Sequence, residues 1–324
     1  MKLLIVRLSA MGDILHALPL AENARLAGAT VGWLAEPRYA ELLSPAPWVD
    51  HLFFADTKRW RRRPLAAAPA ASALSRELAA FAPDVTIDVQ GLWKSAVLAR
   101  RAGAPVVGFA SSERKESASA LLCDRPVRLP ARARHVVDRN LALLEAAGIP
   151  IARRSPDTTY LLKRPPSPEV REFLESLQRP FALYHPGAGR PEKAWGEENF
   201  ALLAARLLSQ RGILPVISWG PGDESRARRL LSLLPEAVLA PPLDFSGLAH
   251  AAAACKIFVG GDTGPVHLAD ALGVRTLALF GPSDPDRNAP YRRRESALRY
   301  NESTSVEAIA ERAVELLGKD PAIP

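Results

Sequence analysis

Short apolar runs alternating with amphipathic stretches set the main constraint on this chain. In the first half the runs are Leu3–Leu8, Thr30–Leu34, Val85–Val89 and Val106–Phe109. In the second half they are Phe181–Tyr184, Leu214–Trp219, Ile257–Val259 and Thr276–Phe280. Between them lie patterns of helical period: Asp13–Leu26, Val136–Ala147, Phe200–Arg211 and Ser225–Leu234. Near-continuous apolar strands separated by helices predict an α/β fold with parallel sheets. The length, 324 residues, suits two domains at roughly 100–200 residues each. The stretch Ile149–Pro168 has no clear period, carries five prolines and reads as the interdomain linker. The expectation is a Rossmann-like domain over 1–160, a second over 170–300, and a C-terminal segment, 301–324, whose helix packs back on the first. Two such domains with parallel sheets facing a central cleft are the predicted architecture.

Composition narrows the function classes. Hydrophobic residues make up 48% of the chain and charged residues 24%, which excludes global disorder. Cys123 and Cys255 are the two cysteines, too few for a disulfide framework or a cysteine-rich zinc site. No stretch approaches the ~20 apolar residues of a membrane span. The N-terminal run meets Arg7 too early for a signal peptide, so a cytoplasmic, reducing location is expected. The formal net charge is +7, and residues 1–150 hold 20 Lys+Arg against 14 Asp+Glu. A basic first half favours an anionic partner.

In open α/β sheets ligands bind beyond the carboxyl ends of the strands, so the candidate functional residues lie in the loops after the apolar runs. In Arg7–His16, Gly12 permits a tight turn and Asp13 opens the following helix. A carboxylate there can take a proton from a hydroxyl, although Asp is also a preferred helix cap. His16 reads as a packed or orienting histidine. In His185–Trp195, Gly187 and Gly189 can offer backbone N–H groups to phosphate and Lys193 can neutralise a diphosphate. The loop lacks the Gly-Lys-[Ser/Thr] ending of a Walker motif. In Trp219–Glu224 a carboxylate can accept hydrogen bonds from ribose hydroxyls. In Gly260–His267, Asp262, Thr263 and Gly264 meet at a helix N-terminus, which suits a diphosphate, with His267 in the first turn. Outside these loops, Lys58-Arg59-Trp60-Arg61-Arg62-Arg63 has five basic residues in six. Lys94, Arg114, Lys115, Arg132 and Arg134 extend the basic character of the first half.

Together these residues resemble the ADP-heptose:lipopolysaccharide heptosyltransferases of glycosyltransferase family 9, most of all the heptosyltransferase I branch. The strings that carry the resemblance are Arg7-Leu8-Ser9-Ala10-Met11-Gly12-Asp13-Ile14-Leu15-His16-Ala17-Leu18-Pro19, Asp88-Val89-Gln90-Gly91-Leu92-Trp93-Lys94-Ser95-Ala96 and Gly261-Asp262-Thr263-Gly264-Pro265-Val266-His267-Leu268. The resemblance implies a GT-B fold and inverting transfer of L-glycero-D-manno-heptose from ADP-heptose to a Kdo sugar of Kdo-lipid A. It implies no cofactor and no metal, no nucleic-acid partner, and work at the cytoplasmic face of the inner membrane. By the same resemblance Asp13 is the catalytic base. Gly187, Gly189, Lys193, Glu224, Asp262, Thr263, Gly264 and His267 face the donor. Ser9, Gly12, Arg59, Arg61, Arg62, Arg63, Gln90, Lys94 and Arg114 face the acceptor.

The sequence departs from the family at one place. Paired threonines typically follow the histidine that corresponds to His185, and here Pro186-Gly187-Ala188-Gly189 stands instead. A different core position or a different nucleotide-activated sugar stays open at this point. So do a GT-B sugar-nucleotide epimerase and a non-catalytic binder of anionic lipid or nucleic acid. Only Trp60 interleaves the basic run, which is poor material for a nucleic-acid stacking platform.

Overall fold

A computed structural model describes residues 1–301 and 303–318. The chain divides into two units, Met1–Asp157 and Thr158–Pro324, and the division falls inside the proline-rich stretch. In the first unit the strands are β1 (Lys2–Val6), β2 (Thr30–Ala35), β3 (His51–Phe54), β4 (Val85–Asp88), β5 (Val106–Phe109) and β6 (Arg125–Val127). In the second they are β7 (Phe181–His185), β8 (Leu214–Ile217), β9 (Val238–Leu239), β10 (Ile257–Gly261), β11 (Thr276–Phe280) and β12 (Ala297–Arg299).

Each unit builds one sheet, and every pairing in both sheets is parallel. The first runs β3-β2-β1-β4-β5-β6 and the second β12-β11-β10-β7-β8-β9. Counted within its own unit, each sheet has the order 3-2-1-4-5-6 of a Rossmann fold, whose binding crevice lies where the order reverses. That switch point falls between β1 and β4 in one unit and between β7 and β10 in the other. Helices cover both faces, so β7, β10 and β11 are buried along their whole length, as the unbroken apolar runs require. This is the α/β, GT-B class of architecture expected from the sequence.

One local expectation changes. The pattern read as one helix over Asp13–Leu26 forms two, Met11–Leu15 and Leu18–Leu26. Pro19 sits in the first turn of the second, where its missing N–H costs nothing. The alanine-rich tract after the arginine run is a long helix, Pro64–Phe81, that contains Pro69. The terminal helix Val306–Leu317 lays an apolar stripe on the core of the second unit. Ile309, Ala310, Ala313 and Leu317 share the core of the second unit with Phe200 and Leu203 of the helix Glu197–Arg211. Spacings of three and four put those four residues on one helix face, and that face is used up within the second unit. Among the described residues, no helix is long and apolar enough to cross a membrane.

Candidate active site

The first unit gathers polar side chains at the β1/β4 switch point. Arg7 immediately follows β1, and its guanidinium is largely buried. One nitrogen donates to the Val89 carbonyl at 3.1 Å, and another lies 2.6 Å from Asp13 Oδ2. The same oxygen accepts the Ala10 N–H at 3.2 Å. Asp13 is thus the third residue of the helix Met11–Leu15, and its carboxylate reaches back to the N–H of Ala10, the residue that precedes the helix. Its side chain is 44% exposed. Oδ2 is held by two donors, and Oδ1 is left as the oxygen available to a ligand. Ser9 and Gly12 flank it, both partly exposed, and the Ser9–Ala10 peptide bond is cis. The Gln90 side-chain oxygen accepts the Leu8 N–H at 2.9 Å and so ties the loop after β4 to the end of β1. His16 is buried edge-on to His135, with ring centroids 5.6 Å apart; it is a packed histidine.

Beside this lies a buried carboxylate that the sequence reading missed. Glu36, just after β2, accepts from the Thr57 hydroxyl at 2.8 Å and has the Lys94 ammonium 3.5 Å away. Lys94, expected on the acceptor side, is anchored by this anion. It also lines an open groove of about 560 Å³ with Trp60, Trp93 and Val97. Arg59, Arg61, Arg62 and Arg63 lie on and just after the short helix Thr57–Arg62, all exposed.

Arg114 is a correction. Expected among the acceptor-facing residues, it has a fully buried side chain ion-paired to Asp88 at 3.1 Å. The nitrogen that pairs with Asp88 also donates to the Ser119 hydroxyl at 3.0 Å, and the other two reach the Phe109 carbonyl and the Cys123 sulfur. Burial pushes the Asp88 carboxyl above its usual range, opposed by Arg114 and by the Gly91 and Gln90 N–H groups. Arg114 braces the loop after β4 from within the core.

In the second unit the β7/β10 switch point brings together Lys193, Asp262 and His267. Lys193 Nζ is 2.6 Å from Asp262 Oδ2, and His267 Nε2 is 3.3 Å from Asp262 Oδ1. The Asp262 side chain is only 8% exposed. Burial alone would raise its carboxyl, but His267 and Lys193 outweigh that and hold it well below the usual carboxylate range. Thr263 precedes the helix Gly264–Ala271, and its hydroxyl turns back to the Gly261 carbonyl rather than capping the helix. The first-turn N–H groups of that helix thus lack a side-chain cap, the arrangement that favours an anion.

The loop after β7 is shaped by the neighbouring loop after β8. Gly187 is buried, and a Cβ there would run into the Asp223 carboxylate and the His185 ring, which would have to shift to admit a larger residue. Asp223 accepts the Ala188 N–H, and burial raises its carboxyl. Gly189 is exposed, with open space around it. Glu224, expected to face a ribose, turns to solvent and pairs with Arg228 at 2.8 Å one helical turn away. Asp223 is the carboxylate that stands against the glycine loop. Glu224 begins the helix Glu224–Leu233, and Asp223 immediately precedes it.

His185, at the end of β7, is buried against Ser218 at 3.2 Å, and burial lowers its imidazole to about 4. The unfolded chain, with an ordinary histidine near 6.5, takes up a proton that the folded state refuses. Stability is therefore complete above pH 6.5 and declines as pH falls toward 4, by about 3 kcal/mol from this group. Urea unfolding of wild type and His185→Asn across pH 4–7 checks this. The variant is expected to show the flatter profile, and equal slopes would remove His185 as the cause.

The sequence profile of glycosyltransferase family 9 (heptosyltransferase) matches residues 71–316. The chain is 31% identical over 294 residues to lipopolysaccharide heptosyltransferase 1 of Escherichia coli (strain K12), covering 88% of this chain and 89% of that protein. The solved structure of E. coli heptosyltransferase WaaC with ADP superposes with a TM-score of 0.80 at 28% identity, covering 98% of this chain and 100% of that one. The structure of WaaC with ADP-2-deoxy-2-fluoro heptose superposes with a TM-score of 0.78 at 27% identity, over 97% and 99% of the two chains.

Proposed function

Because the chain belongs to glycosyltransferase family 9, the heptosyltransferase family, we propose that it moves L-glycero-D-manno-heptose from ADP-heptose to a Kdo residue of Kdo-lipid A, with inversion and with Asp13 as general base. The observation that carries this reading is the state of Asp13: Oδ2 is fixed by Arg7 and the Ala10 N–H, and Oδ1 is left open. A carboxylate so oriented accepts the proton of an acceptor hydroxyl as that oxygen attacks the anomeric carbon. The bond from that carbon to the diphosphate oxygen breaks on the opposite face, and one displacement inverts the configuration. ADP departs with added negative charge, which Lys193 and the N-terminus of the helix Gly264–Ala271 stabilise. The leaving group needs no proton and the scheme uses no cofactor. An ADP-sugar donor is supported by the ligands of the two WaaC structures.

Ser9, Gly12, Gln90, Lys94 and the exposed Arg59, Arg61, Arg62 and Arg63 form the acceptor side. Its substrate is a lipid, so the enzyme works peripherally at the cytoplasmic face of the inner membrane. A second reading within the family, another nucleotide-activated sugar or core position, rests on Pro186-Gly187-Ala188-Gly189, where Asp223 rather than a pair of hydroxyls shapes the loop. The deciding experiment is ADP release from ADP-heptose with and without Kdo-lipid A. Acceptor-dependent release with a heptosylated product is expected. Binding of ADP-heptose with no transfer to Kdo-lipid A would move the assignment to the second reading.

A further inference from the structure

The helix Pro64–Phe81 and the arginine run before it have a feature that sugar recognition leaves unexplained. The helix buries Ala67, Leu74, Leu78 and Phe81 against its sheet. The opposite side would ordinarily be polar. Instead, Pro64-Leu65-Ala66-Ala67-Ala68-Pro69-Ala70-Ala71-Ser72-Ala73-Leu74-Ser75 carries no charged residue. Leu65 is 92% exposed, and Pro64, Ala66, Ala68, Pro69, Ala70 and Ser72 are exposed around it. Immediately before this face stand Lys58, Arg59, Arg61, Arg62 and Arg63, all exposed. Asp56, the acid nearest in sequence, accepts the Arg59 backbone N–H. Among the described residues none of the five basic side chains has a carboxylate ion pair. On the other flank, the groove of about 560 Å³ is lined by Trp60, Ala68, Trp93 and Val97, and Trp93 and Val97 are 44% and 39% exposed.

We propose that the helix Thr57–Arg62 and the outer face of the segment Pro64–Ser75 dock the first unit on an anionic lipid bilayer, independently of any sugar acceptor. An uncharged segment with a protruding leucine, rimmed by unpaired arginines and partly exposed tryptophans and followed on the same helix by exposed Arg76 and Glu77, has the composition of an interfacial anchor. Five basic residues on one short stretch supply the attraction to anionic headgroups. Leu65 and the alanine face enter the headgroup boundary, and the arginines stay at the phosphate level. The inference rests on the proposed function, because it supplies the surface on which a lipid-linked acceptor is presented.

The test uses the full-length protein and vesicles that contain no glycolipid: phosphatidylethanolamine with phosphatidylglycerol, against phosphatidylcholine alone. Cosedimentation with the anionic vesicles only, weakening as salt rises, is expected. Leu65→Glu combined with Ala68→Glu is expected to lower partitioning at least about tenfold, as is Arg61→Glu with Arg62→Glu. The Leu65/Ala68 variant keeps its melting temperature and its turnover of an acyl-free, water-soluble acceptor. Its KM for acceptor embedded in vesicles rises while kcat holds. Wild-type protein that stays in the supernatant overturns the proposal, as does a Leu65/Ala68 variant that binds vesicles like wild type. A wild-type dimer that this variant converts to monomer would assign the face to a second copy of the chain instead. Vesicle binding without transferase activity would overturn the proposed function and leave the docking surface standing.

Discussion

Asp13→Asn is expected to lower kcat by about 10²–10⁴-fold, the usual range for a general base, with little change in ADP affinity. The substitution is informative because of how Asp13 is held. Oδ2 takes the Arg7 guanidinium at 2.6 Å and the Ala10 N–H at 3.2 Å, and an asparagine carbonyl oxygen can keep both. What changes is the group at the Oδ1 position, which becomes an amide nitrogen with no basicity. The fold has little reason to respond, since the side chain is half-exposed and its loop is also tied by Gln90 and by Arg7 to Val89. Single-turnover rates with saturating donor and acceptor, beside ADP binding by calorimetry, separate chemistry from binding. Arg7→Met is expected to act in the same direction with a smaller loss, because it frees the carboxylate to rotate rather than removing it. Unchanged turnover in Asp13→Asn would retire Asp13 as the base, whatever the fate of the family assignment.

Much of this arrangement was legible in the sequence, for a physical reason. The strands next to the switch points, β1, β4, β7 and β10, are central, are buried on both faces, and announce themselves as unbroken apolar runs. The loops after them must therefore lie where ligands bind, which is why Asp13, Lys193 and Asp262 could be picked out. The strands that escaped notice were β3, β6, β9 and β12, and these are the four outermost strands of the two sheets. Edge strands are kept short and less apolar: β9 spans two residues, and β6 carries an arginine and a proline.

The misplaced side chains have a different origin. Arg114 looked like one more surface cation, and its burial depends on Asp88, 26 residues away in sequence, at the end of a core strand. Glu36 and Thr57 meet across 21 residues, and neither belongs to an apolar run that would single it out. Arg7 did carry a usable signal: a charged residue that closes a buried strand has to be paired or solvated, and the nearest carboxylate in the same string is Asp13. Asp223 and Glu224 are adjacent, and only the start of the helix decides which faces the glycine loop.

Lys193→Met is expected to lower kcat by about 10²–10³-fold, as loss of one preorganised donor to a developing anion does. The difficulty is that Lys193 also neutralises Asp262, which is only 8% exposed. Removing the lysine leaves a buried carboxylate with His267 as its remaining close partner, and such a variant loses stability as well as activity. The double variant Lys193→Met/Asp262→Asn separates the two effects. With the carboxylate gone, the melting temperature is expected to recover much of the loss, whereas kcat stays low because nothing replaces the cation beside the diphosphate. Asp262→Asn alone keeps the lysine and His267 but unties them, so it should raise the Kd for ADP more gently than Lys193→Met lowers turnover. If kcat recovers together with stability in the double variant, Lys193 is a structural counterion. The leaving group would then depend on the N-terminus of the helix Gly264–Ala271 alone.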